Sequence, residues 1–145
     1  MKRAMRALHR DWGWAGVTFE EIIAVSPMGH VLLADAEGTI HYLDPDTREL
    51  IRLGGEDQAA QYMADPEVAL VWRAEALVEA ARERLGAPDD GEIYTRTPHA
   101  LIAGDYAPEN LIRLPLAELL SFTGQVACQT QDLPDGTPIQ LKVEN

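Results

Sequence analysis

Between His30 and Leu50 the chain reads HVLLADAEGTIHYLDPDTREL. Apolar clusters around Leu32, Tyr42 and Leu50 are separated by Ala36-Glu37-Gly38 and Asp44-Pro45-Asp46-Thr47, both rich in turn-forming residues. Short apolar runs at this spacing cannot be one helix and fit antiparallel hairpins. Glu20 to Val25 (EEIIAV) precedes them as a further strand, and Ser26-Pro27-Met28-Gly29 turns the chain between the two. Adding Glu49 to Leu53 gives a four-stranded meander. Pairing across the Glu37 hairpin puts Leu32, Ala34, Ile40 and Tyr42 on one face. Val31, Leu33 and Leu43 share the other with His41 and Asp35. Both faces are partly apolar, so each should be covered by another element.

The rest of the chain supplies covers. A short helix is expected over Asp57 to Met63. Asp65-Pro66-Glu67 combines a capping aspartate, proline at the first helical position and an acid in the first turn. From Val68 the apolar residues recur at helical spacing through Trp72, Val78 and Leu85 until Gly86, which predicts one helix over this whole stretch. Glu92 to Arg96 and His99 to Ala103 read as strands, and Asn110 to Leu114 as a third. Pro115 opens a last helix with Leu116, Leu119, Leu120, Val126 and Ala127 as its buried positions, weakened at Gly124. Residues 2 to 10 form a basic helix, and Trp12 and Trp14 clamp it to the body. The fold class is α+β: a mainly antiparallel twisted sheet, the meander plus later strands, packed by two principal helices. The 145 residues are the size of one domain, with a basic segment at 1–11 and a tail or edge strand at 134–145. Edge-to-edge pairing of residues 138–143 would give a homodimer.

Charge narrows the partners. Twelve Lys and Arg face 24 Asp and Glu, a net of −12. Four of the basic residues lie in the first ten positions, where there is no acid, leaving eight against 24 beyond them. Such a surface repels nucleic acid and anionic membranes and attracts basic partners. An acidic surface also serves solubility. No apolar run is long enough to span a bilayer, and no signal core follows the basic start, so the expected compartment is the cytoplasm. The single cysteine, Cys128, excludes an internal disulfide.

A search for chemistry returns little. Asp44, Asp46 and Glu49 do not fit a calcium loop, since the sixth position is Glu49 and the twelfth Gly55. His30 should face Asp44 across the hairpin, a polar pair rather than a metal site. Cys128 lies on the apolar side of the last helix with no local histidine. Glu20-Glu21 and Asp89-Asp90 are adjacent residues and make poor acid–base pairs. No phosphate loop is present. The expectation is a binding protein with no catalytic residue, no metal and no cofactor.

The order of features is more specific than any one of them. DWGWAG is followed by EEIIAVSPMGH, the hairpin VLLADAEGTIHYLDPDTREL, then GEIYTRTPHALIAG and PENLIRLPLAELLSF. This resembles the C-terminal domain of the type VI secretion immunity proteins that protect bacteria from DNase toxins. The positions that carry the resemblance are Gly29, Asp35, Gly38, Tyr42, Asp44, Tyr94, Pro98, Gly104, Asn110 and Leu111, and it runs from about residue 12 to 128. It implies a protein that binds a cognate toxin, a nuclease, and blocks it without catalysis; the acidic charge makes the expected toxin a basic one. Expected toxin contacts, chosen as exposed acids of turns, are Glu37, Asp44, Asp46, Glu49, Asp89, Asp90 and Asp105. The competing reading is a small-molecule-binding or enzymatic domain with a pocket lined by Trp12, Trp14, Tyr42 and Tyr94.

Overall fold

A computed structural model describes residues 2–97, 100 and 107–131. Pro98, Gly104, Asp105, the 138–143 strand and all of the 99–103 strand except Ala100 lie outside the described residues. Ala100 itself is buried with helical backbone.

The meander forms as expected, with β1 (Phe19–Val25), β2 (Val31–Asp35), β3 (Ile40–Asp44) and β4 (Glu49–Gly54) side by side in sequence order. Leu32 pairs with Tyr42 and Ala34 with Ile40, which confirms the facing residues read from the pattern. Each turn is fixed by a short polar side chain. Ser26 Oγ accepts from the His30 amide at 2.9 Å. Asp35 Oδ1 accepts from the amides of Glu37 and Thr39, both at 2.9 Å. Asp44 Oδ1 accepts from the Asp46 amide at 2.8 Å. These bonds replace ladder partners that the backbone loses as it turns. Gly29 is required by its φ of +83°, and a Cβ there would lie 2.5 Å from Leu119 Cδ2 and push that side chain aside.

Both faces of the sheet are covered. Val31, Leu33 and Leu43 are buried in a core shared with Ala4, Leu8 and Trp12 of the N-terminal segment and with Leu116, Leu119 and Leu120 of the last helix. These belong to α1 (Lys2–Asp11) and to the helix over Leu116–Thr130, which pack on each other. The two tryptophans act as the expected clamp. Their rings stack at 5.5 Å, Trp12 Nε1 donates to the Leu120 carbonyl, and Trp14 Nε1 donates to those of Asp11 and Gly124. Gly124 is therefore a contact residue as well as a weak helix former. A Cβ on it would lie 2.6 Å from the Asp11 carbonyl oxygen and 2.8 Å from the Trp12 ring.

On the opposite face Tyr42 meets the rings of Tyr62 and Trp72 edge-on, at 5.6 and 5.8 Å. Tyr62 belongs to α2 (Glu56–Ala64) and Trp72 to α3 (Pro66–Arg73). Here one expectation fails. The helix predicted as continuous from Pro66 to Leu85 is broken at Ala74, whose φ of 44° and ψ of 45° are left-handed, and it resumes as α4 (Glu75–Leu85). The two halves serve different cores. α3 lays Trp72 on the meander, whereas α4 packs Leu77, Val78, Ala81 and Leu85 around Met28, Tyr94 and Leu111. A straight helix would present one continuous stripe, and the break lets the apolar stripe change direction.

The later strands form a sheet of their own. β5 (Glu92–Arg96) pairs antiparallel with β6 (Leu111–Pro115), and Pro115 leads directly into α5 (Leu116–Thr130). The small sheet is tied to the meander by a hydrogen bond from the Tyr94 amide to the Pro27 carbonyl at 3.0 Å. Ile93 enters the main core, while Tyr94 enters the α4 cluster.

Candidate functional site

The most chemically dense region lies where the Asp44–Arg48 turn, β5 and the α3–α4 break converge. Its centre is His30, whose side chain is 2% exposed. Tyr42 Oη lies 2.8 Å from His30 Nδ1. With the phenol donating, the ring proton is on Nε2, the edge that faces Asp46 Oδ2 at 3.8 Å. Asp44 Oδ1 approaches Nδ1 at 3.9 Å, so the cross-strand neighbour read from the sequence is in place. Burial pushes the His30 imidazolium toward the neutral form and lowers its pKa below 6.5, outweighing the two carboxylates that raise it; Arg96 lowers it further. Tyr42 is pushed above its usual range, first by burial and then by Asp44, which keeps it a hydrogen-bond donor.

Arg96 completes the cluster. It is buried on β5, and its Nη1 donates to Asp46 Oδ1 at 2.5 Å, a link across 50 residues of sequence. His30, Asp44 and Asp46 each offer a ligand atom, all within 4.8 Å of one another. The donor set is nevertheless committed: the guanidinium supplies positive charge at Asp46, and Tyr42 takes Nδ1. The arrangement reads as a polar network joining the two sheets, in which Arg96 offsets one of the two carboxylates.

Above this network opens a groove of about 720 Å³. Met28, His30, Asp46 and Arg96 line one side, and Leu70, Val71, Leu77 and Glu79 of α3 and α4 the other. A second hollow of about 710 Å³ lies between Lys2 and Arg3 of α1 and Asp90 and Glu92 beside β5.

The acids expected to contact a toxin are spread out rather than gathered. Glu37 is exposed at one end of the meander, and Glu49 is exposed beside the turn at the other. Asp44 and Asp46 are only partly exposed and are engaged with turn amides, His30 and Arg96. Asp89 and Asp90 are exposed on a separate turn, with Asp89 3.7 Å from Arg113. Asp105 lies outside the described residues. Among the described residues the expected pocket lined by Trp12, Trp14, Tyr42 and Tyr94 does not form. Trp12, Tyr42 and Tyr94 are packed in cores, and neither groove is lined by them or by Trp14.

Two features escaped the sequence reading. Arg96 looked like one polar residue of an alternating strand, with nothing local to mark Asp46 as its partner. The exposed end of α3 did leave a trace. Leu70, Val71 and Trp72 are three consecutive apolar residues, and a helix turning 100° per residue cannot bury all three against one surface.

The match that places this chain lies over these same elements. The family model described as T6SS immunity protein Tdi1, C-terminal, matches residues 54–127, about half of the chain. The chain belongs to this family of type VI secretion immunity proteins. Within the Tdi1 C-terminal match fall α2, α3, α4, both strands of the small sheet and most of α5. The α3–α4 wall of the groove and Arg96 lie inside it, while His30, Asp44 and Asp46 precede it. No curated protein matches the chain. Among the described residues no helix is long and apolar enough to cross a membrane.

Proposed function

We propose that this protein is a non-catalytic inhibitor that binds a cognate type VI secretion toxin, a nuclease, in the cytoplasm and blocks its active cleft. The observation that carries this reading is the Tdi1 C-terminal match over residues 54–127. The net charge of −12 supports the nuclease. A nuclease must hold phosphates, so its cleft is basic, and an acidic protein is steered toward it and competes with its substrate. Glu37, Glu49, Asp89 and Asp90, dispersed over several turns, suit long-range steering better than they suit one contact patch. Asp46 would then act from the groove side, where its charge is partly balanced by Arg96, with Asp44 behind it on His30.

The test is protection. Cells making the product of the neighbouring reading frame should survive when this protein is co-expressed, and the two should co-purify. Death of the cells at the same rate with and without it, and no co-purification, would remove the reading.

A further inference from the structure

We propose that the groove at the α3–α4 break is the toxin-contact face, and that it takes a toxin segment carrying an apolar side chain flanked by lysine or arginine; this rests on the inhibitor reading above. Four large hydrophobic residues are exposed among the described residues, and two of them, Leu70 at 64% and Val71 at 50%, are neighbours that line this groove. The others, Trp14 and Ile23, lie apart, on the turn after α1 and on β1. Adjacent exposed apolar side chains beside a concavity mark a surface that something else covers. The volume of about 720 Å³ suits anchoring side chains. Met28 on the opposite side offers a pliable apolar contact.

The charge around the groove selects the occupant. Glu75 and Glu79 line it, Glu67 is one helical turn before Leu70 and Val71, and Asp46 lies at its base. Against these four acids stand Arg73, 3.3 Å from Glu75, and Arg96, held on Asp46. The balance remains acidic, so an apolar anchor with cationic neighbours fits both the floor and the rim. The left-handed Ala74 is what creates the site. It ends α3 with Leu70 and Val71 turned outward and starts α4 with Glu75 and Glu79 along the same opening.

The experiment measures binding of the full protein to a catalytically inactivated form of the toxin proposed as the product of the neighbouring reading frame. Leu70→Asp with Val71→Asp should weaken binding by about 100-fold or more, since both positions lie at the centre of the proposed contact. Glu79→Lys should weaken it about tenfold. Glu118→Lys, an equal charge change at an exposed position of α5, should alter it less than about threefold. Thermal unfolding of each variant checks that the fold is intact, and Glu79→Lys carries the test if the double variant does not fold. Wild-type affinity in the folded groove variants overturns this inference alone. No binding by the unmutated protein overturns the inhibitor reading and this inference with it. An unmutated protein that sediments as a dimer dissolved by the Leu70 and Val71 changes makes a second copy the occupant and also overturns it.

Discussion

At the scale of single residues, Asp46 does two things that oppose each other in sequence logic. It lies in a solvent-rich turn, yet its carboxylate is the ion-pair partner of the buried Arg96. Removing it leaves a buried cation without that carboxylate. Asp46→Ala should therefore cost about 2–3 kcal/mol in urea unfolding, less than the full penalty of a buried pair because a quarter of the Asp46 side chain is exposed. A loss below about 0.5 kcal/mol would mean that the pair does not join the sheets. His30 makes a separate prediction. Its folded pKa lies below the unfolded value of 6.5, so between the two the unfolded chain binds more protons. The contribution to stability is complete above that range and is lost as pH falls from about 6.5 toward the folded value. Stability measured from pH 7.5 to 5 should decline on the acid side, and His30→Gln should flatten the decline. An unchanged slope in the variant would contradict the assignment.

At the scale of elements, the α3–α4 break is the clearest local departure from regular structure. A non-glycine residue in the left-handed region costs roughly 1–2 kcal/mol. Ala74→Gly should remove that strain and leave the protein more stable by up to about 1 kcal/mol, after the extra freedom glycine gives the unfolded chain. Ala81→Gly, at a fully buried position inside α4, should instead destabilise by about 1–2 kcal/mol. Opposite signs in denaturant unfolding confirm the break, and equal losses refute it. The meander was legible because its signals are local: turn residues fix each hairpin, and alternation fixes which side chains pair. The Asp65 cap was legible for the same reason, with its Oδ1 2.9 Å from the Glu67 amide. The break at Ala74 was not, since no glycine or proline marks it. It answers to two separate cores, one around Trp72 and one around Tyr94, whose positions depend on the whole fold. The groove was hidden likewise, because His30, Asp46, Leu70 and Arg96 come from four distant stretches.

At the scale of the molecule, charge and shape divide the work. Under the proposed inhibitor reading, the excess of acids beyond the basic α1 sets how fast a basic partner arrives, while the groove offers the concave, partly apolar feature that sets how long it stays. Membership of the Tdi1 C-terminal family gives the partner its class, and the net charge gives that partner its expected sign. Steering by exposed carboxylates is screened by salt, with a Debye length of about 10 Å at 0.1 M and about 3 Å at 1 M. Raising ionic strength should therefore slow association much more than it speeds dissociation. The most direct measurement is a titration, with this purified protein at low salt, of the nuclease activity proposed for the product of the neighbouring reading frame. The account predicts that DNA cleavage stops near one equivalent of protein; cleavage that continues through a large excess would contradict it.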